Sequence, residues 1–277
     1  MGFLGGVNLA LVAAHAVVPN SSSDPQGAAA LLCRAFRTVA EWSWPSPLRL
    51  HVSSSSSDNV TWAVKPWDAA SDRAAVMPIL TPVHPCANSA HGVFWGSRRI
   101  LLREFAAAAA QSQRVLADDC GDGAWDAVMA PSDFFTRYAS YVALEASASR
   151  DALDAWSGLV AARLRLLVAA LQHMDEACPW PDAIGCGERV TFFVGVRGTK
   201  AAVASEMAGA VGRFAAALAR ERKPGWSLRA VAVARDELAA AYPEVACALD
   251  RKRGAALNLE KDDGSGGKRS RRATAAV

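Results

Sequence analysis

The sequence predicts an α+β protein: an all-helical first half, then helices laid against a small sheet, then a disordered basic tail. Three observations carry that prediction. Residues 7–40 and 97–117 hold apolar positions at helical spacing, separated by Pro- and Ser-rich connectors. From Asp133 the order becomes strand, helix, strand, helix, strand, which packs as helices on one face of a sheet. Asp250–Val277 has no aromatic residue and is rich in Gly, Lys and Arg, too little apolar surface to fold. The boundaries fall at 1–132, 133–249 and 250–277.

In chain order, Val7–Val18 reads as a buried helix that stops before Pro19. Ala28–Ala40 places Leu31, Leu32, Ala35, Phe36 and Val39 on one apolar face. Pro45 and Pro47 close that region, and Ser53–Ser57 forms a polar insertion. In Trp67–Val93, Pro78, Pro82 and Pro85 stand among Met77, Ile79, Leu80 and Val83. Each proline fixes φ, lacks an N–H and restricts the residue before it. This apolar run can be neither helix nor central strand, so it is expected to lie extended and fix the packing of its neighbours.

Ser97 is the expected N-cap of a helix through Ala117, whose Ala106–Ala110 run permits close helix–helix approach. The acidic loop of Asp118, Asp119 and Asp122 reads as a solvated helix terminus. Phe134–Ala148, aromatic and β-branched, reads as a strand. Asp151–Met174 is a helix, because Leu153, Trp156, Val160, Leu164, Leu167, Leu171 and Met174 follow spacings of three and four. Val190–Val196 reads as a buried strand between Gly187 and Gly198. Thr199 caps the next helix, with its stripe of Val203, Met207, Val211, Phe214 and Leu218. Pro224-Gly225 turns the chain into a last strand, Trp226–Arg235.

Charge removes one easy interpretation. The 277 residues carry a net +3. Asp250–Val277 alone holds eight Lys/Arg against four Asp/Glu, so the remainder stands at −1. Electrostatics by itself does not point to nucleic acid. The six cysteines are scattered without a C-x-x-C pair and read as reduced, mostly buried thiols. His84, Cys86 and His91 lie close together, but their spacing is not that of a zinc site and no fourth ligand is near. The N-terminal stretch through Ala14-His15-Ala16 imitates a signal peptide, yet no Lys or Arg precedes its apolar part and Asn8 interrupts it. A secreted helical protein is the minority alternative, and in it the sequon Asn59-Val60-Thr61 would acquire meaning. The run is too short to span a bilayer, and no membrane is expected as a partner.

Four segments then stand out in order. They are GFLGGV (Gly2–Val7) with Pro19-Asn20, EWSWPSPLRL (Glu41–Leu50), MPILTPVHPCANSA (Met77–Ala90), and FFTRYASYVALEASA (Phe134–Ala148) with WSGLVAARLRLLV (Trp156–Val168). Their wording and order resemble eukaryotic nuclear poly(A) polymerases. The resemblance implies an all-helical central domain followed by an RRM-like, ferredoxin-like RNA-binding domain. It further implies a full enzyme that transfers AMP from ATP to an RNA 3′-OH, with Mg²⁺ or Mn²⁺ held by aspartates of a preceding nucleotidyltransferase domain. No Gly-Ser followed by D-x-D occurs in the sequence. The expectation is a chain without the catalytic head, holding neither metal nor ATP alone and inactive alone. A non-catalytic RNA-binding or scaffold protein of the 3′-end machinery is the alternative.

The resemblance also assigns residues. Gly6 and Val7 match the family's Gly-Val pair that packs near the ATP base and sugar, which makes them a partial ATP site. For the RNA 3′ end, stacking aromatics beside a basic track give Arg137, Tyr138, Tyr141, Arg163, Arg165 and Lys200 as candidates. The RNP1 pattern of an RNA-reading sheet is missing, so the sheet face is not expected to bind. Lys268, Arg269, Arg271 and Arg272 read as a nuclear localisation patch, which with the resemblance implies a nuclear protein whose partners are mRNA cleavage and polyadenylation factors. Departures from the family wording are His84 for Tyr, Gly92 for Asn, and a short connection from Met174 to Arg189.

Overall fold

The computed structural model describes residues 2–17, 27–50, 65–117, 125, 128, 132–174 and 176–246. Ser53–Ser57, the acidic loop at Asp118–Asp122, and the tail with Lys268, Arg269, Arg271 and Arg272 lie outside the described residues.

Among the described residues of the first unit are three helices: α1 (Gly6–Val17), α2 (Ala28–Glu41) and α3 (Trp95–Ala117). Only one side of α1 is buried, through Asn8, Leu11, Val12 and Ala16. Val7, Leu9 and Val17 face outward, so the expected fully buried helix is half-buried. In α2 the apolar face is rotated from the expected one: Leu32 is exposed and Cys33 is buried against the Ala109 carbonyl of α3. The alanine run of α3 permits that approach. Ser97 caps α3 from inside. The helix begins at Trp95, and the Ser97 hydroxyl accepts from the Phe94 amide at 3.1 Å from the third helical position.

The Pro-rich segment behaves as its composition demands. Val76, Met77, Ile79 and Leu80 are buried in a core with Leu11, Val12, Val39, Trp44 and Leu48. It pairs with the strand-like Leu48 through isolated bridges, Leu48 N donating to Pro78 O at 3.0 Å and Leu80 N to Leu48 O at 2.9 Å. Side chains secure the rest. Asn88 Oδ1 accepts from Ile79 N at 3.3 Å and from Ala90 N at 3.0 Å. The Ser89 hydroxyl bridges the Ile79 carbonyl and the Asn8 side chain, tying α1 to the segment.

The second unit holds α4 (Phe134–Arg137), β1 (Ser140–Ser147), α5 (Arg150–Ala170), β2 (Ala177–Pro179), β3 (Ile184–Cys186), β4 (Arg189–Val196), α6 (Lys200–Leu218), β5 (Ser227–Ala234) and α7 (Leu238–Ala241). The expected single strand Phe134–Ala148 is therefore a one-turn helix followed by β1. The Asp133 carbonyl accepts from the amides of Thr136 and Arg137 and closes that turn. The sheet is antiparallel in the order β2-β4-β1-β5, with β3 also on β4. Helices α5 and α6 fill the two crossovers, which is the ferredoxin-like arrangement with an extra short edge strand. Thr199 caps α6 by accepting from Ala202 N at 3.4 Å.

Alternation along the strands sorts two cores. Val142, Leu144 and Ala146 of β1, with Phe192, Val194 and Val196 of β4, meet α5 and α6. The stripe of α5 predicted from its spacing, from Leu153 to Leu171, is buried there. Although α6 is long and apolar enough to cross a membrane by length and composition, Val203, Ala210, Phe214 and Leu218 place it on the sheet. The other sheet face carries Tyr141, Ala143, Phe193 and Val233 under Phe134, Phe135, Trp180 and Tyr242. Among the four described cysteines only Cys33 is buried, and Cys186 is exposed, so the expected burial of the thiols is corrected.

Candidate nucleic-acid interface

A buried carboxylate joins the two units. Glu176, just before β2, takes Arg103 Nη1 of α3 at 2.6 Å, Arg197 Nε at 3.2 Å, and the Tyr138 hydroxyl at 2.6 Å. Burial alone would raise the Glu176 pKa. The bonds from Arg103 and Tyr138 outweigh it and hold the carboxyl below the ordinary range. Burial would lower Arg103, but Glu176 and Glu104 hold its guanidinium above its usual value. Arg103 Nη2 lies 2.7 Å from Glu104, which also meets Arg137, and Arg137 Nη2 lies 2.7 Å from Asp133. This chain of alternating charges is fully paired, so its role is to hold α3 against α4 and β2.

That junction relocates two of the expected RNA contacts. Tyr138 is 1% exposed and Tyr141 0% exposed. The Tyr138 ring packs against Gly195, where a Cβ would stand 2.3 Å from it. Burial, then the bond to Glu176, raises the Tyr138 phenol. Tyr141 donates to the Phe134 carbonyl at 3.0 Å, and burial pushes its phenol up to about 12. Neither ring offers a free face to a base. Both are therefore core residues beneath the covered outer face of the sheet.

The cationic candidates are scattered. Arg137 belongs to the junction. Arg163 of α5 pairs with Glu221 and donates to the Ala217 carbonyl at 3.3 Å. Arg165 is exposed on α5 without an ion pair among the described residues. Lys200 lies 2.6 Å from Glu237, and that bond, followed by one from the Ala234 amide, holds the Glu237 carboxyl below its ordinary value. Gly6 and Val7 open α1 at the surface, and Val7 is 62% exposed. A Cβ on Gly6 would meet nothing within 4 Å, so close helix packing is not what that glycine serves.

A different cluster gathers at the start of α3. Trp95, Gly96, Arg98, Arg99, Leu102 and Gln172 line a groove of about 420 Å³ between α3 and the end of α5. Trp95 is 66% exposed. The Arg98 guanidinium sits 5.0 Å from the centre of its ring, and Arg98 Nη2 lies 3.5 Å from the Trp44 carbonyl. Arg99 is exposed and has no ion pair among the described residues. Gly96 lets the units close here, since its Cβ would stand 3.2 Å from Gln172 Cβ. The sequence reading missed this groove, although Trp95, Arg98, Arg99 and Leu102 stand at i, i+3, i+4 and i+7, one face of a helix.

Among the described residues no three His, Cys, Asp or Glu side chains converge on a metal-sized site. The described residues thus do not fit a catalytic metal pair. Gly6 and Val7 leave their backbone exposed at the start of α1.

Residues 1–131 match the poly(A) polymerase central domain, and residues 133–181 match the poly(A) polymerase predicted RNA-binding domain. Over 188 residues the chain is 30% identical to a poly(A) polymerase of Dictyostelium discoideum, covering 65% of this chain and 22% of that protein. It is 30% identical over 217 residues to nuclear poly(A) polymerase 1 of Arabidopsis thaliana, covering 74% of this chain and 29% of the other. A poly(A) polymerase of Schizosaccharomyces pombe is 31% identical over 179 residues, with coverages of 63% and 30%. The chain thus spans between about a fifth and a third of the length of these relatives.

Proposed function

This chain belongs to the poly(A) polymerase family, and on that ground we propose that it supplies the central and RNA-binding portions of a polynucleotide adenylyltransferase. The whole protein would add AMP from ATP to the 3′ end of mRNA, releasing pyrophosphate as the RNA 3′-oxygen bonds to the α-phosphorus. Residues 1–132 serve as the central domain and 133–249 as the RNA-binding domain. Gly6 and Val7 form part of the wall against the ATP base and sugar. The Mg²⁺ or Mn²⁺ of that reaction, which would activate the 3′-OH and stabilise the leaving pyrophosphate, is not assigned to residues of this chain. Arg163, Arg165 and Lys200 are the cationic residues of the second domain that would contact the RNA backbone. Lys268, Arg269, Arg271 and Arg272 direct the protein to the nucleus, where cleavage and polyadenylation factors are its partners.

The observation that carries this reading is the pair of family matches in sequence order, on a chain whose two units are locked at Glu176. The test is immunoprecipitation of the endogenous polypeptide with antiserum to residues 133–246, followed by incubation with labelled ATP, Mg²⁺ and an RNA primer. Extension of a 3′-OH primer but not a 3′-deoxy primer is expected. RNA bound without any AMP incorporated would replace this reading with the scaffold one.

A further inference from the structure

We propose that the groove between α3 and the end of α5 is a single-stranded RNA subsite in which one base stacks on Trp95 and the adjoining phosphate meets Arg99. The inference rests on the RNA-binding reading above and deepens it by naming the residues that touch the strand.

Five observations carry it. An indole 66% exposed is an unusual surface feature, and it stands at the mouth of a cavity rather than alone. Arg98 covers one face of that ring at 5.0 Å, which fixes the indole and enriches its cation–π environment, while the exposed remainder is open to a planar partner. The six lining residues include two arginines and no carboxylate, so the groove is a local positive site on a chain whose folded part is nearly neutral. Arg99, without an ion pair among the described residues, is free to meet a phosphate. Gln172 adds an amide that can donate to and accept from a base edge, and Gly96 is what brings it to the groove.

A volume of about 420 Å³ suits a single nucleotide and not a packed helix. Most of the lining is apolar, as a stacking surface for a base requires, and its polar side chains are Arg98, Arg99 and Gln172. A protein hot spot around Trp95 needs an apolar ring that excludes water, and Leu102 is the one aliphatic side chain in the groove. Stacking on a π-face with cations beside it is instead how proteins hold unpaired bases without reading sequence. The groove also lies where Gln172 of the second unit meets α3 of the first, so a bound strand would cross the junction and touch both.

The test uses the full chain and a fluorescein-labelled 15-nucleotide oligo(A), with affinity read by anisotropy at several salt concentrations. Trp95→Ala should weaken binding roughly tenfold while leaving the slope of log K against log salt unchanged. Trp95→Phe should keep affinity within roughly threefold of the parent, because a flat ring is retained. Arg99→Gln should weaken binding and reduce the salt slope by about 0.7, the value for one phosphate contact on a single strand. A photo-crosslink from 4-thiouridine RNA should map to 95–102. Since Trp95 and Arg99 are exposed, thermal melts of the variants should match the parent. If the parent binds RNA and Trp95→Ala and Arg99→Gln bind it equally well, the subsite is wrong, the RNA-binding reading survives, and the groove belongs to a protein partner. If the parent itself binds no RNA, both fall together.

Discussion

The two folded units are closed by different means. The second is closed by repetition: eight consecutive residues of β1 pair with β4 on one side and β5 on the other, and period-2 alternation feeds a separate core on each face. Among its described residues the first has no sheet. Its described helices are held by an irregular Pro-rich segment whose backbone groups are satisfied one by one, through Asn88, Ser89 and Leu48. A ladder spreads its bonds over many equivalent residues. A strap concentrates them on a few side chains, so single polar residues matter more in the first unit and apolar volume matters more in the second.

The largest effect should come from the second unit's core. Trp156 is 0% exposed, lies 5.0 Å from Trp226 between ring centres, and donates to the Ser227 carbonyl at 2.9 Å. Trp156→Ala should cost about 3–5 kcal/mol of unfolding free energy, measured by urea titration with far-ultraviolet circular dichroism. A loss under about 1 kcal/mol would mean that volume does not govern this unit.

Asn88→Ala should follow. It deprives the Ile79 and Ala90 amides of their acceptor, at about 1–3 kcal/mol. Hydrogen exchange should accelerate across residues 76–93 while the amides of β1 and β4 keep their protection. Equal acceleration in both units would break the comparison, because the two would then open as one.

Glu176→Gln tests the bond between them. Arg197 is 61% and Arg103 36% exposed at the side chain, so solvent screens part of the interaction and about 1–2 kcal/mol is expected. The folded carboxyl lies below its unfolded value, so its contribution is fully present above the ordinary glutamate pKa and is lost as pH falls through the folded one. The gap between parent and Glu176→Gln stability should therefore shrink on acidification below about pH 4. A gap that stays constant down to about pH 3 would remove Glu176 as the charged link.

Arg163→Ala marks the small end of the scale. Its pair with Glu221 is exposed on both sides, 38% and 46%, and its loss should change stability by less than about 1 kcal/mol.

How much was legible follows from the same contrast. The α5 stripe from Leu153 to Leu171 and the strand Val190–Val196 were readable because a regular element repeats its burial at a fixed period. Phe134 and Phe135 misled because aromatic residues suit a strand and a lid equally, and here they roof the outer sheet face. β2 and β3, three residues each, are too short to leave a period. Tyr138 and Tyr141 looked like RNA platforms because residue type does not tell which side of a sheet is roofed.

The sequence by itself determined the α+β class, the helical spans, the irregular Pro-rich segment and the family, because periodicity, prolines and motif wording are local properties of the chain. Only the tertiary structure decided that Tyr138 is spent on Gly195 and Glu176, and that Gly96 admits Gln172 beside Trp95. Residues 96 and 172, like 138 and 195, are separated by more than fifty positions, and no local pattern in the chain records which distant surfaces the packing brings together.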